Sequence, residues 1–139
     1  MYRRLLVAVD HSPSAGRVLA AARELAQLAD GEVWVAHVRE RDVTGRAGGL
    51  ADTETAATAE QEVDAAAAVL AGAGVKAHSE VLHAIHGHAA REITDSAEEH
   101  GVDVIVMGSR GYGDLAGLLF GSTVHKVIQL ADQAVLVVP

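Results

Sequence analysis

Gly108, Gly111 and Gly121, with Ser122 and Thr123 directly after the last, are residue types that can hold an anion. They lie in Val102–Val127, VDVIVMGSRGYGDLAGLLFGSTVHKV, where an apolar run, Val104 to Met107, breaks into five glycines within fourteen residues. The stretch closes on an apolar-periodic segment, Val124, Val127 and Ile128. This order reads as strand, glycine loop, hydroxyl cap and helix. Glycines let backbone N–H groups face a phosphate with no Cβ in the way. A helix start adds free N–H donors and the positive end of a dipole. Ser122 and Thr123 can cap that helix or donate to a phosphate oxygen. Arg110 can offset phosphate charge.

Spacing separates the phosphate motifs. A Walker loop needs Lys before the Ser/Thr, but Phe120-Gly121 stands there. A dinucleotide fingerprint forced onto Gly111–Ala116 needs an acid at the end of the next strand, and that strand ends in Val137-Val138-Pro139. The spacing that fits is Gly108, two residues, Gly111, nine residues, Gly121, then Ser122.

Alternating elements must position this loop. Leu5–Val9 is a continuous apolar run expected to be a strand buried on both faces, Val104–Met107 is expected to be a buried strand, and Val33–Val38 and Ala134–Val138 are expected strands. Val75–Ala84 is a more polar strand, expected nearer an edge. Helices are expected between them: one capped by Ser12 with Pro13 in its first turn, one over Thr53–Leu70, one after His86-Gly87-His88, and one over about Leu119–Ala131. Arg39–Ala51, charged and then glycine-rich, reads as a mobile loop. The resulting βαβαβαβαβ order predicts an α/β fold, a single domain over residues 1–139 with a parallel sheet covered by helices on both faces. Ligands of such sheets sit at the carboxyl ends of strands where strand order reverses. Asp10 and the glycine loop lie at two such ends. Asp10 there reads as a ligand-facing residue.

Composition bounds the partners. The 139 residues carry a net charge of −8 and no cysteine. An acidic surface disfavours nucleic acid and anionic membranes. Disulfides and thiolate metal sites are excluded. No run reaches the length of a membrane span, and Leu5–Val9 is too short for a signal-peptide core, so a cytoplasmic protein is expected.

The glycine spacing resembles the ATP-binding motif of the universal stress protein family. The likeness extends to Leu6–Asp10, Asp103–Gly108, Gly121–Ile128 and Ala134–Val138. It implies an open, Rossmann-like five-stranded sheet ordered 3-2-1-4-5, and ATP, with Mg²⁺, as cofactor. It implies Val9 and Asp10 near adenine and ribose, and Val38 where strand backbone meets adenine. Met107, Gly108, Arg110 and Gly111 would wall ribose and phosphates, with Gly121, Ser122 and Thr123 at the phosphate-binding helix start. His11 stands where the family often has a small residue, and Asp132-Gln133 replaces a frequent proline-containing turn.

His83, His86 and His88 have metal-like spacing, but no Cys or nearby carboxylate completes the set, and no metal site is assigned. No Ser/His/Asp set or carboxylate pair offers catalysis, and Asp114 reads as a turn residue. The final strand is an apolar edge that invites antiparallel pairing with a second copy, as the family commonly does, so a homodimer through Ala134–Val138 is expected. The leading expectation is a nucleotide-dependent stress-response regulator with weak or no hydrolysis. The alternatives are a slow ATPase or nucleotidyl transferase in the same crevice, and a module whose Arg39–Ala51 loop docks an unidentified protein.

Overall fold

A computed structural model describes residues 1–43, 50–52, 55–111 and 120–139, with backbone alone for residues 42, 43 and 50–52. In chain order the elements are β1 (Arg4–Ala8), α1 (Ala15–Ala29), β2 (Glu32–Val43), β3 (Leu50–Asp52), α2 (Ala56–Gly72), β4 (Lys76–Ile85), α3 (Ala89–Glu99), β5 (Val104–Gly108), α4 (Ser122–Leu130) and β6 (Ala134–Val138). Five parallel strands run β4-β2-β1-β5-β6, which is the 3-2-1-4-5 order. Leu6 on β1 pairs with Trp34 on one side and Ile105 on the other, so β1 and β5 are neighbours at the reversal.

Strand alternation sorts the apolar runs into two layers. Leu5, Val7, Val33, Val35, Val104 and Val106 face one side and pack with Val18, Ala22 and Ala26 of α1 and Val63 and Leu70 of α2. Leu6, Trp34, Ala36, Ile105 and Met107 face the other and pack with Ala90, Ile93 and Ala97 of α3 and Val124 and Val127 of α4. This two-sided burial is why the strands read as continuous apolar runs rather than alternating ones. β4, whose described ladder is to β2 alone, is correspondingly half-exposed.

Three boundaries differ from expectation. β2 continues through Arg39 to Val43 and pairs antiparallel with Leu50–Asp52, so the ends of the expected Arg39–Ala51 loop are strand. Residues 44–49 lie outside the described residues. The charged run carried no apolar signal, yet it pairs with β4 along its length and Arg39 is only 5% exposed. Second, α1 begins at Ala15 with Ser14 at its N-cap, not at Pro13 after Ser12. Ser12 instead donates its N–H to Asp10 Oδ1 at 2.8 Å, an Asx-type turn that delays the helix. Third, α2 starts later than Thr53, where Thr55 Oγ1 accepts the N–H of Thr58 at 3.1 Å.

The amino ends of the strands are tied by polar contacts. Glu32 receives Nε2–H of His78 at 3.0 Å, with Arg4 Nη1 at 3.1 Å and Lys76 Nζ at 3.4 Å. The His78 hydrogen bond lowers the Glu32 pKa. Partial burial opposes this, and the Lys76 and Arg4 charges add to the lowering. Trp34 stacks with the His78 and His100 rings, at 4.8 and 5.0 Å, with the Arg4 guanidinium 4.7 Å from its ring. The turn from α1 into β2 is tight, and a Cβ on Gly31 would stand 2.6 Å from the Arg3 carbonyl oxygen.

Candidate functional site

A cavity of about 600 Å³ opens at the carboxyl ends of β1, β2 and β5. Its size suits a small organic ligand. Its floor is where the two core layers part: Val9 is 7% exposed, Met107 is 5% exposed, and Val38 is half-buried. The Val9 N–H donates to the Ala36 carbonyl at 2.9 Å, which continues the β1–β2 ladder one step past β1.

One wall is the start of α4. Gly121 takes the N-cap position in an extended conformation, φ −70° and ψ 167°, with no side-chain cap. Its own N–H donates to the Ser109 carbonyl at 2.7 Å, while the Ser109 N–H donates to Val138 at 2.8 Å. β6 therefore fixes the start of the glycine loop, and the loop fixes the start of α4. The N–H groups of Ser122, Thr123 and Val124 are those an α-helix leaves without intrahelical acceptors. All three residues line the cavity. They combine convergent donors, two hydroxyls and the positive end of a helix dipole at one wall.

The opposite wall carries Asp10, whose carboxylate orders its own turn through Ser12. The rim carries Arg110, which is exposed, and Gly111. Of the ten residues singled out from the sequence, nine line this one cavity: Val9, Asp10, Val38, Met107, Gly108, Arg110, Gly111, Ser122 and Thr123. The tenth, Gly121, is buried behind the wall as the helix cap. A Cβ on Gly108 would point at Ser14 Oγ (3.3 Å) and Val18 Cγ2 (3.5 Å), so this glycine serves the packing of α1 on β5. Gly113, Asp114 and Gly117 lie outside the described residues.

Sequence reading missed the third side. Gly87, at φ +88° in the left-handed region that favours glycine, turns β4 into α3 beside the cavity. Its carbonyl accepts from Lys126 Nζ at 3.1 Å, so Lys126 bridges α4 to this turn and brings a cation to the wall of backbone donors. Glu40 Oε2 lies 3.0 Å from His86 Nδ1 and accepts the Gly87 N–H at 3.4 Å. A carboxylate thus does stand beside one of the three clustered histidines, contrary to expectation. It lies on the continuation of β2, which the sequence had suggested was loop. Lys126 had the only legible signal, a cation one turn into a helix that begins with donors.

The sequence and architecture match known proteins along the whole chain. Residues 1–139 match the model of the universal stress protein family. The chain is 33% identical to universal stress protein YxiE of Bacillus subtilis over 150 residues, covering 99% of both proteins. A solved universal stress protein from Archaeoglobus fulgidus superposes with a TM-score of 0.77 at 28% identity, covering all of both chains. A structure of the universal stress protein from A. fulgidus in complex with dAMP gives a TM-score of 0.74 at 27% identity, over 99% of this chain and 98% of that one. Family model, relatives and fold agree: the chain belongs to the universal stress protein family.

Proposed function

We propose that this chain binds ATP, with Mg²⁺, and acts as a dimeric, nucleotide-dependent regulator of the stress response in the cytoplasm. The observation that carries the reading is the first turn of α4. Three backbone donors, the hydroxyls of Ser122 and Thr123, and nearby Lys126 and Arg110 all meet one cavity whose floor is apolar. Adenine fits against Val9, Val38 and Met107, ribose reaches Asp10, and the phosphates reach Gly111, Ser122 and Thr123, with Gly121 and Gly108 holding the walls. The A. fulgidus relative crystallised with dAMP supports an adenine nucleotide in this crevice.

Regulation fits better than turnover. The described acids on the cavity are Asp10 and Glu40. Asp10 accepts from Ser12 and Glu40 from Gly87 and His86, so each already orders a turn. Neither is poised as a base for an attacking water. Dimerisation proceeds through β6, whose described partner is β5 alone and which exposes Leu136, while α4 exposes Ile128 and Leu130. Among the described residues no helix is long and apolar enough to cross a membrane. Calorimetric titration of Mg-ATP tests the reading. One site per chain, with ATP recovered intact, supports it; rapid turnover supports an ATPase instead.

A further inference from the structure

His11 in the β1–α1 turn, His37 in β2 and Glu62 in α2 come together from three elements. One ligand atom from each lies within 4.8 Å of the others. His11 Nδ1 stands 3.6 Å from Glu62 Oε1, and His37 Nε2 stands 3.7 Å from Glu62 Oε2. The two rings meet edge to face, with centroids 5.3 Å apart. These separations are too long for good hydrogen bonds. The two imidazole–carboxylate distances lie close to the roughly 3.4 Å between ligands of a tetrahedral ion with bonds of about 2.0–2.1 Å, and the widest spacing, up to 4.8 Å, is one that small side-chain rotations would close around an ion.

The surroundings orient the donors for a cation. His37 is 5% exposed, and its Nδ1–H donates to the Val9 carbonyl at 2.8 Å. In the neutral ring that hydrogen bond leaves the lone pair on Nε2, the atom turned toward Glu62. A backbone carbonyl holding the far nitrogen is how metal-binding imidazoles are commonly fixed in tautomer and orientation. Glu62 Oε2 is a buried acceptor that receives no hydrogen bond among the described residues. Such an oxygen is costly to bury, and a bound cation would satisfy it.

We propose that His11, His37 and Glu62 form a site for a divalent transition-metal ion, with Zn²⁺ the best fit. Two imidazoles and a carboxylate suit Zn²⁺ over Mg²⁺ or Ca²⁺, which take oxygen ligands. Three protein ligands leave a fourth position for water or a small donor, as open zinc sites do. His11 and His37 both line the cavity, so that position faces it. The bound ion fastens α2 to the turn that carries Asp10. None of the three ligands belongs to the glycine loop, and the site stands or falls independently of nucleotide binding.

The test is Zn²⁺ titration of the full-length, metal-depleted protein without nucleotide, in competition with a chromophoric chelator. One Zn²⁺ per chain is expected. His11→Ala and Glu62→Gln should each weaken it by about 100-fold, since each removes one of a small ligand set. Both residues are less buried than His37, and circular dichroism verifies that the variants fold. His86→Ala is the control for exposed histidines and should leave the affinity unchanged. Co²⁺ in place of Zn²⁺ should show the intense visible bands of a tetrahedral site, shifting when azide takes the fourth position. Absence of stoichiometric Zn²⁺, or affinity retained in folded His11→Ala and Glu62→Gln, overturns the site. So does loss of affinity in His86→Ala.

Discussion

Replacing Ser122 with an aspartate should separate nucleotide binding from stability, moving them in opposite directions. Ser122 is the first residue of α4, is exposed, and lines the cavity. The first turn of α4 holds no acid, so the introduced carboxylate would complement the helix dipole and add about 0.3–1 kcal/mol to stability. The same carboxylate would stand roughly 5 Å from a phosphorus held by the neighbouring N–H groups. At an effective dielectric of about 20, each unit of phosphate charge then repels it by about 3 kcal/mol. Solvent and salt at this exposed position cut that by half or more. Loss of a hydroxyl donated to a charged oxygen adds about 1.5 kcal/mol. The sum, about 3 kcal/mol, is roughly a 100-fold loss of ATP affinity. Ser122→Ala should lose only about 10-fold. Calorimetry with ATP and with adenosine reads the effect, and thermal unfolding reads stability. Adenosine has no phosphate and should bind the Ser122→Asp variant as it binds the parent. A folded Ser122→Asp protein with unchanged ATP affinity, or one that loses ATP and adenosine equally, would refute phosphate placement at α4.

Other expectations concern the scaffold. The Glu32 carboxyl has a lowered pKa in the fold, so its contribution is present above the unfolded carboxylate range and fades as pH falls through the folded value below 4.5. Glu32→Gln should therefore cost up to about 1 kcal/mol at neutral pH and progressively less on acidification, as urea unfolding followed by Trp34 fluorescence would record. A constant deficit at every pH would contradict the charge origin. Gly31→Ala forces a Cβ to within 2.6 Å of the Arg3 carbonyl and should cost about 1–3 kcal/mol in the same assay. Leu136→Glu places a charge on the 39% exposed residue at the middle of β6 and should shift sedimentation from dimer to monomer with little change in Tm. A parent protein already monomeric at micromolar concentration would remove the β6 dimer.

What the sequence disclosed and concealed has a physical pattern. Val104–Met107 and Leu5–Val9 were legible because two-sided burial demands unbroken apolar runs. The glycine loop was legible because a spaced set of glycines and a hydroxyl-led helix start both stand out over a short span. The end of β2 was hidden because Arg39 and Arg41 carry charge into a strand whose backbone partner there, β4, is distant in the sequence. The gathering of His11, His37 and Glu62 left no local trace, since three elements supply one side chain each. The Trp34 stack with His78 and His100 was hidden for the same reason. Gly121, which the motif marks for the phosphate-binding helix start, is the N-cap of α4, directly before Ser122 and Thr123 on the cavity.

The most direct measurement is the nucleotide content of the purified protein, released by denaturation, separated by chromatography, and followed by Mg-ATP titration of the emptied chain. The expected result is intact ATP, or saturable binding of one ATP per chain. An empty protein that gives no binding signal with ATP and Mg²⁺ would contradict nucleotide binding at the glycine loop.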